Sequence, residues 1–278
     1  MPARFVERLD DRIASTGSMV CVGLDPDPTL WPARFGRRPR AEQLDEFLEE
    51  VVSATRPHVA AYKAQLGTYF RFGPEGLRLL LDLPRRIGEG PITILDLKVN
   101  DIPNTVRHFR DGLQGPGGWD ALTVTPWMGW ESLDLWDGDP SHGYFVVAHS
   151  SNPGSRDLQD LRAGSYPLWH RVLREVRRRA RRSGNAGAVV GATYPSAVAE
   201  ARRTLGPTVP LLVPGIGAQA GDLARTVVAG SGSAGRQLLV NSSRGILYGP
   251  GGRAGVAQRT DRLKREIAAA LGSARRAR

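Results

Sequence analysis

Ile94-Leu95-Asp96-Leu97-Lys98-Val99-Asn100-Asp101-Ile102-Pro103-Asn104-Thr105 runs from an apolar, strand-like segment directly into a cluster of charges. An i, i+2 spacing on a strand puts Asp96 and Lys98 on the same face. Two readings of these charges stand side by side. In one, Asp96 and Lys98 form a structural ion pair and Asp101 is a helix N-cap ahead of Pro103. In the other, all three gather at the open end of a barrel, where the loop after a strand carries chemistry.

Working outward, short β-rich runs alternate with helical stretches along the whole chain. The strand candidates are Met19–Leu24, Val59–Lys63, Ile92–Lys98, Ala121–Val124, Tyr144–Ala148, Ala188–Ala192, Leu211–Val213 and Gln237–Asn241. Helical periodicity is clearest over Ala41–Thr55, Glu75–Arg86, Leu168–Arg182, Ser196–Leu205 and Arg259–Leu271. A further helix over about Arg4–Ala14 precedes the first strand and is placed to plug the barrel bottom. Strands separated by helices pair in parallel through crossovers. An open doubly wound sheet shares that pattern, but eight units in 278 residues fit a closed (β/α)₈ TIM barrel, whose usual size is roughly 250 residues. The glycine-rich stretches Gly115–Gly118, Gly230–Gly235 and Gly249–Gly255 read as loops. None divides regions of different composition, so residues 1–278 are expected to form one domain.

Composition narrows the function. The formal net charge is +10, and much of the excess lies in Arg171, Arg174, Arg177, Arg178, Arg179, Arg181 and Arg182. Leu173 and Val176 recur among them at helical spacing, which predicts an amphipathic helix with a solvated basic face. No aromatic platform is interleaved, so nucleic-acid binding is not expected. No apolar run reaches the ~18–20 residues of a membrane span, and Met1–Arg8 has no apolar signal-peptide core. The lone Cys21 sits in an apolar run and reads as a small buried hydrophobe, which fits a reducing cytoplasm. Only three of the 38 basic residues are lysines: Lys63, Lys98 and Lys264. Against such a bias, a lysine at a strand end suggests a place where a proton must be released, which arginine cannot do. Lys264, in the charged run Asp261–Arg265, reads as surface charge. His58, His108, His142, His149 and His170 show no metal-ligand spacing, and Gly215 and Gly217 do not complete a dinucleotide fingerprint because Ala220 stands at its third glycine.

Asp96-Leu97-Lys98-Val99-Asn100-Asp101-Ile102-Pro103-Asn104-Thr105 resembles the Asp-x-Lys-x-x-Asp-Ile-Pro-x-Thr signature of the orotidine 5′-phosphate decarboxylase family. Six further blocks resemble the family in order, each after a predicted strand. They are Leu24-Asp25-Pro26, Tyr62-Lys63-Ala64-Gln65, Ser150-Ser151-Asn152-Pro153-Gly154, Gly191-Ala192-Thr193-Tyr194-Pro195, Val213 to Gln219, and Asn241-Ser242-Ser243-Arg244-Gly245. The later blocks are similar to the longer bacterial branch, whereas the Ile-Pro-x-Thr block is similar to the shorter one. The lysine of the longer branch is usually followed by proline; here Ala64 follows Lys63.

The resemblance implies a cofactor-independent decarboxylase with no metal, acting on a nucleotide. It implies that Asp96 faces the substrate carboxylate and that Lys98 protonates C6, with Lys63 and Asp101 completing a Lys–Asp–Lys–Asp array. Asp25 and Lys63 would address the ribose, Ser151 the pyrimidine, and Gln219 and Arg244 the phosphate. In the family the last aspartate and the nearby threonine, here Asp101 and Thr105, come from the partner subunit, which implies a homodimer with shared active sites. Two related readings stay open: a metal-dependent sugar-phosphate enzyme of the same superfamily, and a paralogue acting on a modified pyrimidine nucleotide.

Overall fold

In the computed structural model, which describes residues 3–36, 39–215, 223–231 and 237–276, eight parallel strands close into a barrel. They are β1 (Val20–Gly23), β2 (Ala61–Gln65), β3 (Ile92–Val99), β4 (Ala121–Val124), β5 (Gly143–His149), β6 (Ala186–Val190), β7 (Leu211–Pro214) and β8 (Leu238–Ser242). Around the barrel the order is β1-β8-β7-β6-β5-β4-β3-β2. This is the expected (β/α)₈ architecture. Strands buried on both faces need no polar alternation, and β1, β4 and β6 are buried at every position. Predicted strand ends lie within two residues of the observed ones, and the differences fall where local patterning is weakest.

The main outer helices are α2 (Ala41–Thr55), α3 (Gly73–Ile87), α4 (Pro103–Leu113), α5 (Leu168–Ser183), α6 (Pro195–Leu205), α7 (Leu223–Ser231) and α8 (Gly252–Arg276). They follow α1 (Phe5–Thr16), the predicted extra helix. Two expectations need correction. The Gly249–Gly255 stretch is only partly a loop, because α8 begins at Gly252 and Gly255 lies within it. Gly230 likewise belongs to α7.

The basic helix α5 is also more than a solvated face. Arg179 is buried, with its guanidinium 2.9 Å from both Asp134 and Asp137 and 2.8 Å from Glu175. It also donates to the carbonyl of Trp130 at 2.8 Å. Three carboxylates and a carbonyl occupy its donors, which is what a buried guanidinium requires. Arg202 of α6 does comparable work without any carboxylate. It donates to the carbonyls of Gly206, Val209, Gly230 and Gln237, tying α6 and α7 to the starts of β7 and β8. Cys21 is fully buried, and burial pushes its thiol up to about 12, as expected of an inert packing residue. No helix among the described residues is long and apolar enough to cross a membrane.

Helix α1 covers the end of the barrel where the strands begin. Phe5, Leu9 and Ile13 form its buried stripe. Arg8 pairs with Asp120 just before β4 and donates to the carbonyl of Ser141 just before β5. Arg12 donates to the carbonyl of Val59 ahead of β2. The Phe5 ring meets Phe145 edge to face at 6.0 Å. A Cβ at residue 143 would lie 2.5 Å from the Phe5 ring, so Gly143 leaves the space the ring fills. Phe5→Ala should therefore destabilise the chain by about 3–5 kcal/mol, read by denaturant unfolding. A loss below about 1 kcal/mol would mean that α1 is only a loose cover.

Candidate active site

The charges of the quoted segment emerge at the opposite, C-terminal end of the barrel. There β3 departs from regular pairing with β4. Leu95 is in register with Leu122 and Val99 with Val124, so Asp96, Leu97 and Lys98 all lie opposite the single residue Thr123. Lys98 takes up the excess chain with φ 55°, in the left-handed region. Such a conformation costs a non-glycine residue about 1–3 kcal/mol. The Thr123 hydroxyl accepts from the backbone N–H groups of Leu97 and Lys98, at 3.1 and 3.0 Å. Strand alternation alone thus gives the right partners by the wrong route, since a bulge rather than a regular pleat re-aims Lys98.

The result is a chain of alternating charges. Lys98 Nζ lies 2.5 Å from Asp96 Oδ1, and Lys63 Nζ lies 3.0 Å from Asp96 Oδ2. Lys63 Nζ is also 3.7 Å from Asp25 Oδ2. Side-chain exposure rises outward along this chain, from 5% at Lys63 to 14% at Asp96 and 47% at Lys98. Lys63 and Asp96 are therefore walls of the site, while Lys98 is free to meet a ligand. Asp25 is fixed from two further sides. Its Oδ1 accepts from the Gln65 N–H at 2.9 Å and its Oδ2 from the Ser243 hydroxyl at 2.6 Å.

Burial disfavours the charged form of both inner groups, but the opposite charges outweigh it. Desolvation works against the Asp96 carboxylate, yet Lys63 and Lys98 bring it down to about 2. Desolvation likewise opposes the Lys63 ammonium, while Asp25 and Asp96 hold it above the ordinary lysine value. At neutral pH both are ionised.

The remaining expected residues are less tightly assembled. Arg244 opens a short helix, Arg244–Leu247, directly after β8. With Ser243, Asp25, Pro26, Asp27, Thr68 and Arg71 it lines a cavity of about 340 Å³. Arg71 and Arg244 both bear on Asp27, whose carboxyl is lowered first by hydrogen bonds from Thr29 and then by these two cations. Ser151 lies where β5, β6 and β7 end. A Cβ at residue 191 would fall 2.7 Å from Ser151, so Gly191 permits that approach, and a Cβ at residue 215 would lie 3.8 Å from the Ser151 hydroxyl. Gln219 lies outside the described residues. His149 packs against Trp169 and Tyr194 and pairs with Asp160 at 3.1 Å, beneath the Ser150-Ser151 loop.

Asp101 and Thr105 do not join the array within one chain. Asp101 accepts from the N–H of its neighbour Ile102 at 2.7 Å and forms no ion pair among the described residues. The helix N-cap is Ile102, not Asp101. Thr105 sits half-buried in the first turn of α4. Around them Ile102, Phe109, Trp127 and Met128 are exposed, Trp127 at 67%. Reading the sequence missed Thr123, Ser243 and Arg71. Ser243 lies inside a recognised block next to Arg244 and was the one within reach; Thr123, in an apolar strand, reads as packing.

Residues 18–258 match the family model described as Orotidine 5′-phosphate decarboxylase / HUMPS family. The Orotidine 5′-phosphate decarboxylase of Thermomicrobium roseum is 41% identical over 246 residues, which cover 88% of this chain and 86% of that protein. That of Azoarcus sp. is 43% identical over 233 residues, covering 83% and 85%. Among solved structures, Leishmania donovani OMP decarboxylase superposes with a TM-score of 0.84 at 32% identity, over 96% of this chain and 98% of that one.

A depressed carboxyl stabilises the fold above its unfolded pKa of 3.8 and loses that contribution as the pH falls through about 2. Lys63, being raised, contributes below its unfolded value of 10.5 and loses its contribution only well into the alkaline range. Asp96→Asn should therefore remove about 2 kcal/mol of stability at pH 7 but little at pH 2. Unfolding free energies of both proteins from pH 7 to pH 2 check this. A difference that does not shrink in acid would contradict it.

Proposed function

The chain belongs to the orotidine 5′-phosphate decarboxylase / HUMPS family, and from that premise we propose that it converts orotidine 5′-phosphate to uridine 5′-phosphate, the last step of de novo pyrimidine nucleotide synthesis. The observation that carries this reading is the Lys63–Asp96–Lys98 constellation at the C-terminal mouth of the barrel, in a chain 41–43% identical to enzymes of that name.

The chemistry sets a severe electrostatic problem. When the C6–carboxylate bond breaks, its electron pair stays on C6 as a vinylic carbanion with no adjacent carbonyl to spread the charge. Carbon dioxide departs, and C6 must then gain a proton. Asp96, ionised and facing the substrate carboxylate, raises the energy of the bound anion relative to the state in which that charge has moved to C6. Lys98 stabilises the developing charge as an ammonium and donates the proton to C6. Lys63 keeps Asp96 ionised and, with Asp25, addresses the ribose hydroxyls. Every step uses side chains of the chain, and none calls for a cofactor or metal.

Arg244 and Gln219 hold the phosphate and Ser151 the pyrimidine. Binding energy gathered at the phosphate, away from the reacting carbon, then offsets the repulsion at the carboxylate. Support for Arg244 comes from its place after the eighth strand, where barrels commonly bind phosphate. Asp101 and Thr105 act on the site of a second copy. The exposed Ile102, Phe109, Trp127 and Met128 beside them support this, as an apolar surface that a dimer would cover. The single cysteine and the nucleotide substrate fit a cytoplasmic enzyme.

Loss of orotidine 5′-phosphate absorbance in the presence of EDTA tests the reaction. Rapid metal-independent conversion is expected, with Lys98→Ala lowering kcat by about 1,000-fold or more. No turnover by folded protein would sink the reading, and abolition by EDTA would turn it toward a sugar-phosphate enzyme. Co-refolding inactive Lys98→Ala with inactive Asp101→Ala should restore about a quarter of wild-type activity, because only mixed dimers contain an intact site. Absence of recovery would contradict shared sites.

A further inference from the structure

Thr123 is buried in β4 at the centre of the charged cluster, yet its hydroxyl serves no apolar packing purpose. A hydroxyl has one proton to donate and two lone pairs. Both lone pairs receive N–H groups, from Leu97 at 3.1 Å and Lys98 at 3.0 Å. Those groups can only donate, so the proton must go to the third neighbour, Asp96 Oδ1 at 2.9 Å. The orientation of the hydroxyl is thus set, and its bonding capacity is full.

Each of these bonds replaces something the bulge removed. Three residues of β3 face Thr123 alone, so the run of in-register acceptors on β4 is interrupted where Leu97 and Lys98 donate. The hydroxyl is the acceptor there, where Lys98 is held at φ 55°. On the carboxylate side, Asp96 Oδ2 receives Lys63, while Oδ1 receives both Lys98 and Thr123. Swinging the carboxylate aside would break all three contacts at once.

We propose that Thr123 is a positioning residue of the decarboxylation: its hydroxyl clamps Asp96 and the Lys98 turn, so that repulsion acts on the substrate instead of being relieved by rotation of Asp96. The inference rests on the function proposed above and adds a residue and a role to it. Repulsion between two anions raises the substrate's energy only if the protein's anion cannot move away. A carboxylate held by Lys63 and Lys98 alone could pivot with Lys98, which is the most exposed of its partners. Thr123, on a buried strand, cannot follow such a movement.

The test is the kinetics of Thr123→Val and Thr123→Ser with orotidine 5′-phosphate, beside their affinity for uridine 5′-phosphate, which lacks the carboxylate. Valine keeps the shape and loses the hydroxyl; serine keeps the hydroxyl. Thr123→Val should lose about 100-fold in kcat. Its KM should stay unchanged or fall, the signature of relieved ground-state strain. Uridine 5′-phosphate affinity should hold, and serine should restore kcat to within a few-fold of wild type. Should the valine protein fail to fold, Thr123→Cys, with its weak donor and weak acceptor, should show an intermediate kcat at near-normal KM. A kcat in Thr123→Val equal to wild type, or a loss of kcat with raised KM and weakened uridine 5′-phosphate binding, would overturn the inference while leaving the reaction intact. An inactive wild type would overturn the functional reading, and this inference with it.

Discussion

Asp96 stands between two ammonium groups inside the mouth of the barrel, and the surrounding architecture follows from keeping that carboxylate charged and still. A buried anion is tolerated only when its lone pairs are occupied and its charge is balanced. Supplying those partners requires Lys63 from β2, Lys98 from a bulged β3, Thr123 from β4, and Asp25 with Ser243 to steady Lys63 from the ends of β1 and β8. These five strands are adjacent in the closed sheet. Their convergence is a property of the barrel that no single βα unit provides. Because the members of such a network share partners, removal of any one should cost more than its own pairwise contact.

The two ends of the barrel divide the work. At the strand N-termini, α1 brings Phe5 against Phe145, and arginines reach across to backbone carbonyls and Asp120. That end stabilises. At the C-termini the polar groups are spent on one another and on exposed cations suited to an anionic ligand, chiefly Lys98 and Arg244. Arginine serves throughout as a structural fastener, as Arg179 and Arg202 show, because its charge is permanent and its donors form a wide fork. Two of the three lysines, Lys63 and Lys98, stand instead in the charged cluster, as compact ammonium groups against Asp96. The scarcity of lysine in the sequence and the position of Lys63 and Lys98 in the site are two views of one chemical division.

Much of this was legible in advance because strand–helix alternation is dense and the motif residues follow strand ends. The eight strands, the leading helix and the pairing of Asp96 with Lys98 follow from those signals, while the gathering of Lys63 and Asp25 beside them follows from the family resemblance. The bulge was not legible. Leu95 to Val99 has the alternation of a regular strand, and nothing local announces that three residues will face one. Thr123 was missed for a related reason: a threonine inside Ala121–Val124 satisfies β-propensity without any further role, and only the partner strand reveals what its hydroxyl does. Arg179 was misread because periodicity assigns a face but not the carboxylates that other segments bring to it. Asp101 and Thr105 lie outside the array of their own chain, and only the family resemblance, not any local pattern, assigns them to a site.

The most direct measurement is the equilibrium affinity of two non-converting variants, Asp96→Asn and Lys98→Ala, for orotidine 5′-phosphate and uridine 5′-phosphate. The two nucleotides differ at C6, where only the first carries a carboxylate, so the ratio of their dissociation constants isolates what the site does to that group. If Asp96 is held, charged, against the carboxylate, its neutralisation should improve the relative binding of orotidine 5′-phosphate by about tenfold or more over Lys98→Ala, a difference of about 1.4 kcal/mol. An unchanged ratio, or one that moves against orotidine 5′-phosphate when Asp96 is neutralised, would mean that the carboxylates do not oppose each other and would contradict the central claim.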